Sequence, residues 1–193
     1  MSYNNKFNYL QDYAKKLEEL EDRMKKLKIR SEINKISLKT LKLFEPLLKK
    51  EITGYEKKIT KIPSILWYFG NLCYILDIYC YSILEDEKLV YSINNCDLYD
   101  TRKISIDNTY EKKLDSVNTI YECYSELIDK ISNWIDTNKI SPFIKKIIDR
   151  VFFYNSFVNE RIYESYKYSN VKSESYQDFE KKEINDLSFK MII

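Results

Sequence analysis

The chain has 193 residues, 44% of them hydrophobic, and a net charge of +2 from 32 Lys/Arg and 30 Asp/Glu. That apolar fraction excludes a disordered chain, and the length suits one large domain or a domain with an extended arm. Histidine is absent and glycine occurs only twice, which removes histidine-dependent triads, the usual proton carrier near neutrality and the glycine-rich phosphate cradles.

Ile, Lys, Tyr and Asn make up 85 of the 193 residues. All four have A/T-rich codons, so the 18 tyrosines reflect genomic bias more than a special use of the phenol. Charge is distributed unevenly. Residues 1–61 hold 16 Lys/Arg against 9 Asp/Glu, and residues 62–193 hold 16 against 21, which predicts a basic arm on a mildly acidic body.

The first heptad series places Tyr3, Leu10, Leu17 and Met24 at one position and Tyr13, Leu20 and Leu27 at the other. Three heptads of this spacing are the minimum for a coiled coil. A second series follows at Ile29, Ile33, Ile36, Thr40, Leu43 and Leu47. The register breaks near Arg30 and Ser31, either as a stutter in one helix or as a junction between two. Pro46 is expected to kink this helix or to open a new one, and Gly54 to end it in a left-handed cap.

Ile62–Leu84 is the least polar stretch, with Pro63 in a first-turn position. Asn71 and Asp77 sit in its middle, and an acidic centre costs a membrane span about 2.5–3.5 kcal/mol. The segment is therefore read as the buried centre of a helical bundle, not as a membrane partner. Residues 88–107 lose the helical period and suggest a short β-hairpin or an ordered loop. Asp107 or Asn108 is expected to cap a helix carrying Tyr110, Leu114, Val117, Tyr121, Tyr124, Ile128, Ile131 and Ile135. Ser141 and Pro142 signal the next helix, with Ile144, Ile147, Ile148, Val151, Phe152, Val158 and Ile162 on one face. Phe153, Tyr154 and Phe157 widen that face enough to touch more than one neighbour.

These elements predict an all-α protein, a bundle of three or four long helices. The expected division is a basic helical arm over 1–54, a body over 62–168 and a looser tail over 169–193. The tail ends in Phe189, Met191, Ile192 and Ile193, an apolar terminus suited to docking.

Cys73, Cys80, Cys96 and Cys123 form no C-x-x-C pair, and without histidine a zinc site needs several of them to converge. Buried free thiols are expected, with no metal and no cofactor. No asparagine starts an N-x-S/T sequon, which with the free thiols favours a reducing intracellular compartment, cytoplasm or nucleus. Asp86 and Lys88, leading into Leu89-Val90-Tyr91, match a short metal-nuclease pattern and keep a metal-dependent nuclease as a remote alternative, although that chemistry requires a central sheet that the chain lacks the strands to build.

Recognition is left as the function. The preferred expectation is a non-enzymatic helical adaptor, scaffold or inhibitory subunit that contacts a protein partner or a second copy of itself. Its contacts would be Leu10, Leu17, Leu20, Met24 and Leu27 together with the apolar C-terminus. The alternative is an RNA- or DNA-associated factor whose basic stretch neutralises phosphates. That stretch comprises Arg23, Lys25, Lys26, Lys28, Arg30, Lys35, Lys39, Lys42, Lys49 and Lys50.

Overall fold

The computed structural model describes residues 3–50, 52–54, 63–85, 96–105 and 108–168. Among these the chain is all-α, with no strand. The long helix α1 spans Tyr3–Leu48, and α2 spans Ile65–Leu76. A π-helical turn, Asp77–Tyr81, joins α2 to α3, Ser82–Glu85. A 3-10 turn at Cys96–Leu98 and the short α4, Asn108–Glu111, precede α5, Val117–Thr137, and α6, Pro142–Tyr168.

Both heptad series lie in one uninterrupted helix, so the break at Arg30–Ser31 is a change of seam within α1. Its second half packs on both α5 and α6, and α2 packs on the same two helices. Lys25 meets the α5–α6 connection at Ile140, while Tyr166 donates to the Leu43 carbonyl further along. Helices α1 and α6 therefore run in the same direction, with α5 antiparallel to both.

The second series is buried because it faces α5 and α6. Ile29, Ile33, Leu43 and Leu47 are core residues, and Phe44 stacks on Phe69 of α2 with ring centroids 3.7 Å apart. Thr40 is the polar member of the series and is fully buried. It accepts from the side-chain amides of Asn155 at 3.0 Å and Asn159 at 2.9 Å, and donates to the Ile36 carbonyl. The Tyr124 hydroxyl donates to Asn155 Oδ1 at 2.8 Å and lies 3.0 Å from Thr40 Oγ1. One hydroxyl thus ties together α1, α5 and α6.

Helix α1 ends earlier than the glycine suggests. Lys50 takes the left-handed conformation, with φ 57°, and its N–H reaches the Leu47 carbonyl at 3.0 Å. Gly54, with φ 88°, serves the following bend, where a Cβ would press on Leu66. Pro46 lies within the last turn of α1 and opens no new helix. Pro63 precedes the cap of α2, since Ser64 accepts from the Trp67 N–H. The helix expected from Asn108 is split. Four residues of α4 are followed by an extended stretch, and Ser116 caps α5 by accepting from Thr119 N–H. Ser141 and Pro142 open α6 as expected, with Ile144 N–H bonded to Ser141 Oγ. A competing cap defeats the period at Leu114, which is buried without being helical.

Residues 96–105 form an ordered loop pinned on α2; residues 88–95 lie outside the described residues. Trp67 Nε1 donates to the Leu98 carbonyl at 2.6 Å, and Asn71 Nδ2 to the Tyr99 carbonyl at 2.7 Å. The Tyr99 ring is fully buried against Gly70, and its hydroxyl bonds Asp115 Oδ2 at 2.9 Å. Asp100 is held by Arg102 through two side-chain bonds of 3.0 and 2.8 Å.

Those Arg102 bonds keep the Asp100 carboxyl well below the ordinary carboxylate range. A depressed folded pKa contributes stability that is complete above the unfolded value of about 3.9 and fades as pH falls towards the folded one. The gap in Tm between wild type and Asp100→Asn should be constant from neutrality to about pH 5 and shrink below about pH 4. A gap that stays constant to low pH would show that Arg102 does not hold the carboxylate.

Candidate interaction surface

Seven large apolar side chains between Tyr9 and Leu27 of α1 lie in water. Tyr9, Leu10, Tyr13, Leu17, Leu20, Met24 and Leu27 are all exposed, Leu17 least at 44% and Met24 most at 70%. Every residue from Tyr9 to Glu21 is exposed, so this part of α1 projects beyond the α5–α6 connection. At 1.5 Å per residue, the roughly twelve residues of α1 before Lys15 reach about 18 Å past the cleft where the arm meets this connection.

The direction of the stripe follows from helical geometry. At 100° per residue, the first series centres about 140° around the helix from the second. The second series faces the core, so the first points largely away from it. No movement short of rotating α1 out of the core brings Leu17 or Leu20 onto the body. Leu38 is 59% exposed on the same outer line. The heptad counts missed it because Ser31 and Asn34 interrupt the apolar repeat before it.

The basic stretch separates into two groups. Lys25, Lys26 and Arg30 turn inward to the end of α5. Lys25 Nζ donates to the Ile140 carbonyl at 3.0 Å, Lys26 Nζ to the Asp136 carbonyl at 3.3 Å, and Arg30 to the Asp136 carboxylate. Cations are favourable at a helix C-terminus, where carbonyls lack partners. These three side chains brace the arm against the body. Lys39 is half-buried and has a partner, and Lys49 pairs with Glu45 at 3.5 Å.

Arg23, Lys28, Lys35, Lys42 and Lys50 remain exposed. Lys28, Lys35 and Lys42 recur every seven residues, about 10.5 Å apart along α1, on the same outer line as the apolar stripe. The outer face of α1 is thus apolar over its first half and cationic over its second. The predicted contact residues Phe189, Met191, Ile192 and Ile193 lie outside the described residues, as do Asp86 and Lys88.

The inner side of the arm meets the α5–α6 connection in an open cleft of about 590 Å³, lined by Lys15, Glu18, Asp22, Lys25 and Lys139 among others. Both signs of charge line it, and Glu18 already reaches Lys139 at 3.8 Å, so it is a solvated junction. A second exposed apolar group, Phe143, Phe153 and Phe157, lies on α6, with the Arg161 guanidinium over the Phe157 ring at 5.0 Å. Phe153 and Phe157 therefore face away from the core, although α6 does touch two neighbours, α1 and α2. Tyr154 turns inward instead, bonding Asn71 Oδ1 at 2.6 Å.

Cys73, Cys80 and Cys123 are free and buried. Burial pushes the Cys80 thiol up to about 12 and raises that of Cys73, so neither supplies a thiolate near neutrality. Among the described residues no cluster of His, Cys, Asp and Glu has the arrangement to hold a metal ion, and no helix is long and apolar enough to cross a membrane.

The exposure of the first seam separates its residues from those of the core. Ile33→Ala should cost about 2–5 kcal/mol of unfolding free energy, as a buried large-to-small change. Leu17→Ala should change it by no more than about 0.5 kcal/mol. Urea unfolding of the two variants measures both, and a large loss at Leu17 would place that residue against the body. Comparison of the chain with protein-family models, curated proteins and solved structures finds no match.

Proposed function

We propose that the protein is a non-enzymatic helical adaptor or scaffold that acts through protein–protein contacts made by the projecting half of α1. One observation carries this. An apolar heptad stripe lies on the side of α1 turned away from the core, where nothing among the described residues covers it. Soluble proteins rarely leave a long apolar seam in water unless something docks there, and a helix laid on a helix is the ordinary way to bury one. The inward braces at Lys25, Lys26 and Arg30 present the seam in a fixed direction, which lowers the ordering cost of docking.

The test compares the proteins that co-purify with wild type and with Leu17→Asp/Leu20→Asp. Companions that disappear on substitution, while helicity and Tm stay unchanged, support an adaptor. Identical companions in both preparations defeat it.

A second reading rests on the line of Lys28, Lys35 and Lys42, whose spacing suits a phosphate backbone. If nucleic acid is the ligand, reversing each lysine to glutamate should weaken RNA binding uniformly across sequences and reduce the salt slope by about one per contact. Negligible RNA affinity at low salt would remove that reading.

A further inference from the structure

The two halves of the outer face of α1 describe one occupant. We infer that it docks a partner's amphipathic helix whose apolar seam is flanked by acidic residues, with further acidic residues continuing along Lys28, Lys35 and Lys42. This rests on the adaptor reading and names the partner's chemistry.

The flanks of the seam carry the argument. Taking Leu10, Leu17 and Met24 as position a of the heptad and Tyr13, Leu20 and Leu27 as position d, the flanking positions hold Ala14, Lys16, Glu21, Arg23, Lys28 and Arg30. Arg30 is already engaged with Asp136. The charges left to face a partner are Lys16, Arg23 and Lys28 against Glu21, and the line continues into Lys35 and Lys42. Flanking charges select partner and orientation in paired helices.

A second copy fits these flanks poorly. In a parallel, in-register pair, Lys16 would meet Glu21 of the other copy, but Arg23 would meet Lys28. In an antiparallel pair the Lys16 and Arg23 flanks would run against each other. Acidic flanks would pair Lys16, Arg23 and Lys28 and leave only Glu21 facing a like charge. A nucleic acid would satisfy the lysines and leave Leu10, Leu17 and Leu20 in water. An acidic amphipathic helix answers both halves of the face.

The experiment uses the full chain and two designed helical peptides of about three heptads, with leucine at a and d. One carries glutamate at the flanking positions and the other lysine. Fluorescence anisotropy should show the glutamate peptide binding at least about ten-fold more tightly. Lys16→Glu/Arg23→Glu/Lys28→Glu should reverse that preference, and Leu17→Asp/Leu20→Asp should abolish binding of both peptides.

Equal binding of the two peptides would overturn the acidic partner while leaving apolar docking, and with it the adaptor, in place. Binding of neither, or displacement of the glutamate peptide by an RNA oligonucleotide, would overturn it as well. So would a stable dimer, seen by sedimentation, that Leu17→Asp/Leu20→Asp dissociates. Unchanged companions in the co-purification would instead defeat the adaptor itself.

Discussion

Gly70→Ala should destabilise the protein by about 3 kcal/mol, although glycine to alanine in a helix interior ordinarily gains up to about 1 kcal/mol. The reversal comes from Tyr99. A Cβ on Gly70 would lie 2.5 Å from Cδ1 and Cζ of the Tyr99 ring and closer still to Cε1. The ring cannot swing aside cheaply. Its hydroxyl bonds Asp115 Oδ2 and accepts from the Asp115 N–H at 3.0 Å, while its carbonyl accepts from buried Asn71. Expelling such a ring forfeits its burial and leaves Asn71 and Asp115 short of partners. Urea unfolding measures the loss. In a Tyr99→Ala background the same substitution should become neutral or mildly stabilising, because the clash is gone. Additive losses in the double variant would show that Tyr99 does not occupy the notch.

Thr40→Val should cost about 2–4 kcal/mol with little change of shape. The hydroxyl it removes accepts from the amides of Asn155 and Asn159, which are 0% and 3% exposed. Valine fills the space and leaves both donors without that acceptor in a dry core, where an unmade bond costs more than a made one contributes. Tyr124→Phe should cost about 1 kcal/mol, since it removes one donor and strands less. A Thr40→Val loss below that of Tyr124→Phe would move the hub from the threonine to the tyrosine.

Both effects show where the sequence was legible. The heptad series named Ile29, Ile33, Leu43 and Leu47 as a seam, and they are buried. It placed Thr40 in that seam but could not reveal Asn155 and Asn159, because their positions are set by how α6 packs beside α1. The near absence of glycine speaks only to the phosphate cradles it excludes. Nothing local showed that Gly70 receives a tyrosine 29 positions later, a contact created by the 96–105 loop folding back.

Capping signals at Ser141 and Pro142 were sufficient because they act within one turn. At Asn108 a cap competed with another at Ser116, and the apolar period ran through the break without recording it. Exposure was the least legible property. The first and second series have the same spacing, so periodicity cannot tell a seam turned to water from one turned to the core. Their angular offset could have been read from the residue numbers, and it shows that one body cannot cover both seams but not which of them it covers. The lysines were equally ambiguous, since only tertiary position separates Lys25, Lys26 and Arg30 from Lys28, Lys35 and Lys42.

The continuity of α1 makes it a ruler and a protractor at once. Each residue between the buried series and the exposed one adds about 1.5 Å of reach and about 100° of rotation. One alanine inserted between Arg23 and Met24 would turn the outer seam before it by more than a quarter of a circle and leave the core series in place. An insertion of seven would return it almost to its starting azimuth, one heptad farther out. The bearing at which anything is carried relative to the body is thus written in the residue count of a single helix.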